Sequence, residues 1–459
     1  MIENLLVIGG GVGGATTALA AAKAGAKVVL VEKRAILGGK QAPRLGGEGP
    51  SSGNGVDLPR TSELIENENI EVLTLSEVVE LSGERGDFNV SIREQARYIT
   101  DACTQCNKCR AVCPITLPNE YEAELSYRKA IFSPLKEGFP AAYVIDIGRC
   151  LNSPPNYLPC QRCVEVCEDD CIVFDMPPEQ VHQRKADAVV VAVGFDVATS
   201  DSLSQFGYGE HSDILTSMEL EHLLAPSGLT GGYLEKPSNE ECPESVLIAI
   251  TDATELLWAY SASQITRLVE QDITDITVVY HGDSSNGAVH DEFKQHAVNA
   301  GAKLIRGDVE KIEGAEKDAL RAQYTDGADG QKVSQNFDLV VLASSVLPAE
   351  GLAGLAETLS LNLDENGFVH VDEGSQGPVT AARPGVYVIG GASGPLNISD
   401  TFARSKAVAA VAVENTGGSK QASAEVAAGD GKPLTEKELQ ERLEKFVWSL
   451  VEAGRTAKA

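Results

Sequence analysis

The chain has 459 residues, room for about three domains, and its hydrophobic share of 43% is that of a globular protein. Its 67 acidic side chains against 38 Lys and Arg leave a formal charge of −29. That balance argues against a nucleic-acid partner, because phosphates call for a positive field, and against adhesion to anionic lipid. No apolar run reaches the ~18–20 residues needed to cross a bilayer, so no membrane span is expected.

Leu5-Leu6-Val7-Ile8 reads as a short buried strand. The chain enters it without a basic leader or cleavage site, so no signal peptide is expected and the protein is read as cytoplasmic. Gly9-Gly10-Gly11-Val12-Gly13-Gly14 follows, with G-x-G-x-x-G at Gly9, Gly11 and Gly14. An Ala-rich helix is expected from Ala15 to about Lys23, ended by Gly25, and a strand from Lys27 to Val31 then delivers Glu32. The glycines permit a tight turn and a close approach to a pyrophosphate, which the helix N-terminus attracts. Glu32 stands where an acid holds both ribose hydroxyls, which favours FAD or NAD over NADP. Gly38-Gly39-Lys40 follows the acid, as in flavoproteins with two dinucleotide folds, and turns the choice toward FAD. Lys33, Gly39, Lys40 and Val78 join the cofactor-binding candidates in this stretch.

Phe88, Val90 and Ile92 alternate with Asn89, Ser91 and Arg93, the pattern of a half-buried strand. Nine of the ten cysteines then fall between residues 103 and 171. Cys103, Cys106, Cys109 and Cys113, followed by Pro114, form C-x2-C-x2-C-x3-C-P. That run wraps a [4Fe–4S] cube and sends its fourth thiolate to a neighbouring cube. Pro114 is expected to keep the loop from coiling into a helix too early. Cys150, Cys160, Cys163 and Cys167 make a second, looser set, with Glu168 where a proline is usual. With last cysteines exchanged, one cube takes Cys103, Cys106, Cys109 and Cys167, and the other Cys150, Cys160, Cys163 and Cys113. Paired C-x-x-C is also zinc spacing, but the first run makes a poor tetrahedral knuckle. Cys171 is read as a small buried residue, with replacement of one ligand as the other reading. Cysteines clustered in this way belong to a reducing compartment.

Ala188 to Val193, ending in Gly194, reads as the strand that closes the FAD domain. The cysteine segment lies between it and the Phe88 strand, so an insertion into a β-meander is expected. After Pro243 a second nucleotide-type fold begins: strand Val246 to Ile250, helix Glu255 to Val269, strand Ile276 to Tyr280. Its first turn, Thr251 to Glu255, has no glycine, and Asp252 and Glu255 would repel a pyrophosphate. Nicotinamide binding is therefore not expected there. Pro384 to Gly391 reads as a buried strand ending at Gly390 and Gly391. Pro395 to Thr401 follows, then a helix from about Phe402 whose N-terminus could meet the flavin ring. Pro395, Ile398 and Thr401 are the candidates in this segment. A Gly/Ser/Ala linker from Thr416 to Lys432 precedes an amphipathic helix carrying Leu439, Leu443, Phe446, Val447 and Leu450.

The fold expected is α/β, of the two-dinucleotide-binding flavoprotein type, with an inserted α+β bacterial-type ferredoxin domain. The FAD-binding domain is assigned to 1–95, 183–240 and 346–415. The insert is assigned to 96–182, the degenerate nucleotide fold to 241–345, and the linker and helix to 416–459. Seven histidines lie scattered without motif, so no catalytic side chain is assigned.

Together these segments resemble the flavin-containing A-type subunit of heterodisulfide reductases and its bacterial relatives, from residue 1 to about 415. The insert carries Pro118-Asn119-Glu120, Arg128-Lys129-Ala130-Ile131, Tyr143-Val144-Ile145-Asp146 and Phe174-Asp175. Gly194-Phe195, Phe206-Gly207-Tyr208-Gly209, Thr230-Gly231-Gly232 and Gly394-Pro395 with Ile398, Asp400 and Thr401 match as well. The resemblance implies one FAD, two [4Fe–4S] clusters, and partner subunits that handle clusters, disulfides or quinones; a homodimer is a further expectation. It also implies that Lys40 tunes the reactive edge of the flavin. Methanogen-type subunits have an extra N-terminal cysteine region and a C-terminal ferredoxin module, and cysteines after Gly-Gly-Lys. None is expected here, and Gln41 to Pro59 has no cysteine, so a short form is expected. The alternative is an NAD(P)H-dependent reductase similar to the small subunit of glutamate synthase, against which the glycine-free second turn speaks.

Overall fold

The computed structural model describes residues 4–41, 61–134, 140–141, 143–153, 158–198, 200–226, 228–252, 254–281, 288–327, 330–344, 346–372 and 380–414. The expected linker, the amphipathic helix beyond it and most of the stretch from Gln41 to Pro59 lie outside these residues.

The first sheet is built on strands that are apolar on both faces, the mark of a parallel sheet covered on two sides. β1 (Asn4–Ile8) lies between Ala188–Val191 and β2 (Lys27–Val31), all parallel, and β3 (Ile70–Leu73) extends the sheet beyond β2. Val386–Val388 runs parallel beside Ala188–Val191, and two short antiparallel strands finish that edge. Two helices cover one face. α1 (Val12–Lys23) brings Ala15, Ala18, Leu19 and Ala22 against Val408, Ala409 and Ala412 of the helix Ile398–Glu414. On the opposite face, Phe88, Val90 and Ile92 pack beneath Leu6, Val189 and Val191. These three belong to β5 (Asp87–Gln95), the middle strand of an antiparallel sheet with β4 (Ser76–Glu84) and Glu179–Ala186.

A second layered unit repeats the plan. Five parallel strands run in the order Ile214–Thr216, Leu339–Ala343, Ser245–Ile250, Asp275–Tyr280, Lys303–Arg306. The helix Glu255–Val269 packs on one face through Leu257, Trp258, Ile265 and Leu268. A three-stranded antiparallel sheet covers the other through Ile312, Leu320, Tyr324 and Phe337. A ribbon of Phe195–Val197 with Val346–Pro348 joins the two units.

Three boundaries differ from the sequence reading. α1 begins at Val12, three residues before Ala15, because Gly11 itself caps the helix and the glycine run turns directly into it. The helix near the C-terminal glycines starts at Ile398, ahead of Phe402, since the Asn397 side chain accepts the Asp400 N–H at 2.8 Å. The strand Glu179–Ala186 pairs with β5 from Glu179 opposite Gln95 to Ala186 opposite Phe88. Residues 179–182 are therefore part of that antiparallel sheet. Polar residues occupy both faces of that strand, so no alternation announces it.

Candidate functional site

Gly9 and Gly11 occupy the turn between β1 and α1, and Gly14 the first turn of α1, at the carboxyl edge of the sheet where open α/β folds bind ligands. A Cβ on Gly14 would stand 1.8 Å from the Gly9 carbonyl oxygen, so backbone itself bars any larger residue. α1 has neither a capping side chain nor an acid in its first turn. Its first N–H groups are left to an outside acceptor, which suits a pyrophosphate. Glu32, at the end of β2, is buried and accepts the Gly10 and Arg34 N–H groups at 2.7 Å each. Burial pushes its carboxyl above the ordinary value against those two hydrogen bonds. A carboxylate has about four acceptor positions, so two hydroxyls can still be received.

Gly39 closes on Gly11: its φ is +56°, and a Cβ there would lie 3.2 Å from the Gly11 Cα. Lys40, next in the chain, places Nζ 2.9 Å from Asp196 Oδ1 and 5.9 Å from the Phe195 ring centre. Burial alone would raise the Asp196 carboxyl. The Lys40 ammonium and the Glu350 N–H, 2.7 Å from Oδ2, outweigh it and hold the group below its usual range. Gly194 meets Gly391, whose added Cβ would stand 3.0 Å from the Gly194 carbonyl carbon; Gly390 abuts Thr401 in the same way at 3.1 Å. Ile398 and Thr401 form the first turn of their helix, and Pro395 is exposed just before it. Two candidates turn their side chains to other partners. Val78 is buried in the core beneath the sheet. The Lys33 ammonium points outward, 3.5 Å from Glu77. Asp196 and Asn397, whose Nδ2 donates to the Glu255 carboxylate at 2.6 Å, were not singled out from sequence. Only their neighbours carried a motif.

The cysteines separate into two cavities. One, of about 320 Å³, is lined by Cys103, Cys106, Cys109 and Cys167, with Cys171, Tyr143 and Lys108. The other, of about 370 Å³, is lined by Cys113, Cys150, Cys160 and Cys163, with Ile131, Ile145 and Arg162. Each cavity thus draws its fourth sulfur from the other motif. Among the described residues no three His, Cys, Asp or Glu side chains converge as they would on a single ion. Four sulfurs around each cavity match the one thiolate per iron that a cluster requires. Burial pushes the Cys109 thiol up to about 12 and that of Cys163 to about 11. Such groups give up their protons to a bound metal. A short helix, Lys108–Val112, forms inside the first motif and ends before Pro114, so the proline stops a turn already made.

The insert is clamped onto the loop that follows Glu32. Tyr121, Phe132 and Val144 pack on Ala35 and Ile36. Their chain neighbours Ile131 and Ile145, pointing the other way, pack among the cysteines. Arg34 stacks on Tyr121 at 4.3 Å, and Arg97 donates to the Ala35 carbonyl at 2.6 Å. Within the insert, Arg128 binds Glu120 through Nε and Nη2 at 2.5 and 2.7 Å and reaches Asp146 at 2.9 Å. The Tyr143 hydroxyl donates to Asn107, inside the first cysteine motif.

Residues 4–54 match the family of FAD-dependent oxidoreductases. With the layered parallel fold, that match to the first strand-turn-helix marks an oxidoreductase with an FAD-binding type of fold. The chain is 31% identical over 89% of its length to the A-type iron–sulfur subunit of the CoB–CoM heterodisulfide reductase of Methanocaldococcus jannaschii, of which it covers 63%. It is 32% identical, again over 89%, to the second such subunit of Methanopyrus kandleri, with 63% covered. The chain is thus similar to the A-type subunits of heterodisulfide reductases, the likeness its motifs suggested, and spans less than two thirds of their length. Thioredoxin reductase of Lactococcus lactis superposes with a TM-score of 0.47 at 13% identity, over 90% of this chain and 99% of that one. No helix among the described residues is long and apolar enough to cross a membrane.

Proposed function

We propose that this chain is an electron-transfer subunit that holds one FAD and two [4Fe–4S] clusters and works within a multi-subunit redox complex. Bound FAD would exchange electrons in pairs and the clusters would pass them singly, so the pair connects two-electron and one-electron carriers. The chain's own residues bind and space these groups. Gly9, Gly11 and Gly14 with the open end of α1 would receive the pyrophosphate, and Glu32 the ribose. Lys40, held by Asp196, would set its charge beside the ring; Gly194, Gly390, Gly391 and Thr401 would line the ring's other side. Cys103, Cys106, Cys109 and Cys167 would ligate one cube, and Cys113, Cys150, Cys160 and Cys163 the other.

The observation that carries this reading is the pair of four-cysteine cavities on a segment clamped to the loop after Glu32. Partners would be subunits handling clusters, disulfides or quinones, in keeping with the names of the relatives, and the location would be cytoplasmic. Anaerobic purification should yield bound FAD and about eight irons per chain; iron-free protein with a full complement of flavin would overturn the reading. Cys113 supplies the sharper check. Although it belongs to the first motif, Cys113→Ser should abolish the same electron paramagnetic resonance species as Cys150→Ser and leave the one lost in Cys106→Ser.

A further inference from the structure

We propose that Cys171 is a second protein ligand for the corner of the cluster served by Cys167, so that the two thiolates are interchangeable there. The inference rests on the cluster reading above and adds a fifth sulfur to it. Cys171 lines the same cavity as Cys103, Cys106, Cys109 and Cys167, is only 5% exposed, and has its Sγ 3.3 Å from that of Cys167. Two thiolates on one tetrahedral metal, each about 2.3 Å from it, stand roughly 3.8 Å apart. The two sulfurs lie closer than that, as alternates for a single ligand position would.

The two sulfurs reach that position from separate mounts. Cys167 follows the short helix Arg162–Glu165, its N–H bonded to the Val164 carbonyl at 3.1 Å. Cys171 sits on the bridge between Ile172 and Ile99, its carbonyl accepting the Thr100 N–H at 2.9 Å. Between them Asp170 takes φ +47°, a left-handed turn that Asp tolerates, and this folds Cys171 back beside Cys167. The exchange balances without any redox partner. The iron–sulfur bond to Cys167 breaks, the one to Cys171 forms, and the Cys171 proton passes to the departing Cys167 thiolate. Cys167 is partly exposed and Cys171 buried, so the exchange moves the attachment from an accessible sulfur to a protected one.

The test compares full-length wild type, Cys167→Ser, Cys171→Ser, Cys171→Ala and Cys167→Ser/Cys171→Ser, all purified without oxygen. Iron, acid-labile sulfide and FAD are measured per chain, with electron paramagnetic resonance of the reduced protein. Each single variant should keep the wild-type iron content, the Cys167→Ser signal should be shifted in g-values, and the double variant should lose about half the iron. Retained FAD shows that the fold survives. If Cys167→Ser alone loses as much iron as the double variant, Cys171 is a packing residue and the proposal fails. If wild type itself binds FAD but no iron, the cluster reading fails and takes this inference with it.

Discussion

Gly11 and Gly14 sit three residues apart and answer to different demands. A Cβ on Gly14 collides with a backbone oxygen 1.8 Å away, whereas on Gly11 it finds nothing nearer than the Gly39 Cα at 3.9 Å. Gly14→Ala should therefore cost at least the 1–3 kcal/mol typical of overpacking, about that range even without cofactor. Gly11→Ala should leave the deflavinated protein within ~0.5 kcal/mol of wild type yet lower FAD affinity at least tenfold, because the space it fills belongs to the pyrophosphate. Thermal melts with and without FAD, with a flavin titration, check both. Equal destabilisation of the two apo variants would remove Gly11 from the site. Glu32 carries a pH signature. Its folded-state value is raised by burial above 4.5, so the apo protein binds its proton more tightly than the unfolded chain does. Its stabilising contribution is thus complete below about 4.5 and is lost as pH rises through the folded value. In Glu32→Gln the drop in apo stability from pH 4.5 to 7 should be smaller than in wild type. Urea melts across that window measure the difference, and an unchanged slope would mean that Glu32 does not titrate there.

The strand pair Ile131–Phe132 and Val144–Ile145 shows how one short element couples two sites. The period of two sends Ile131 and Ile145 to the cysteines and Phe132 and Val144 to the loop behind Glu32. Arg128 secures this ribbon by joining Glu120 to Asp146, so its removal should loosen the cavity of Cys113, Cys150, Cys160 and Cys163. Breaking a buried ion pair costs 3–5 kcal/mol, but the Glu120 carboxylate is 44% exposed, which lowers the expectation to ~1–3 kcal/mol. Arg128→Met should keep FAD and the signal of the Cys103 cavity while losing iron from the other; uniform loss of both signals would count against a local clamp. These elements also mark how far the sequence could be read. The Arg128 and Tyr143 segments stood out by resemblance, but their meaning did not, because Glu120, Arg128 and Asp146 meet only after the chain has folded. Apolar strands such as Leu5 to Ile8 announce themselves through composition. The polar strand Glu179–Ala186 does not, and the two helix starts were set by Gly11 and Asn397 ahead of any apolar periodicity.

At the scale of the whole molecule, two layered α/β units present the same strand-turn-helix to the same edge of their sheets, and the two turns are finished in opposite ways. In the first, the helix start is glycine, without a cap or an acid. In the second, the Thr254 hydroxyl accepts the Leu257 N–H at 3.4 Å, and Glu255 occupies the first turn. Glu255 then receives Asn397 Nδ2, tying this turn to the start of the helix Ile398–Glu414. A dinucleotide arriving there would find its donors already partly engaged, a carboxylate in place of a positive dipole end, and a hydrogen bond between units to break. One turn is open to phosphate and its counterpart is closed, so a single dinucleotide should bind. Mixed without oxygen with excess NADH or NADPH, the holoprotein should keep its oxidised flavin absorbance over minutes, while dithionite bleaches it at once. Bleaching by either nucleotide within seconds would show that the second unit delivers hydride despite its turn. It would then fall to Glu255→Gln to show the route: a faster rate in that variant would place the incoming phosphate at this helix, and an unchanged rate would place it elsewhere.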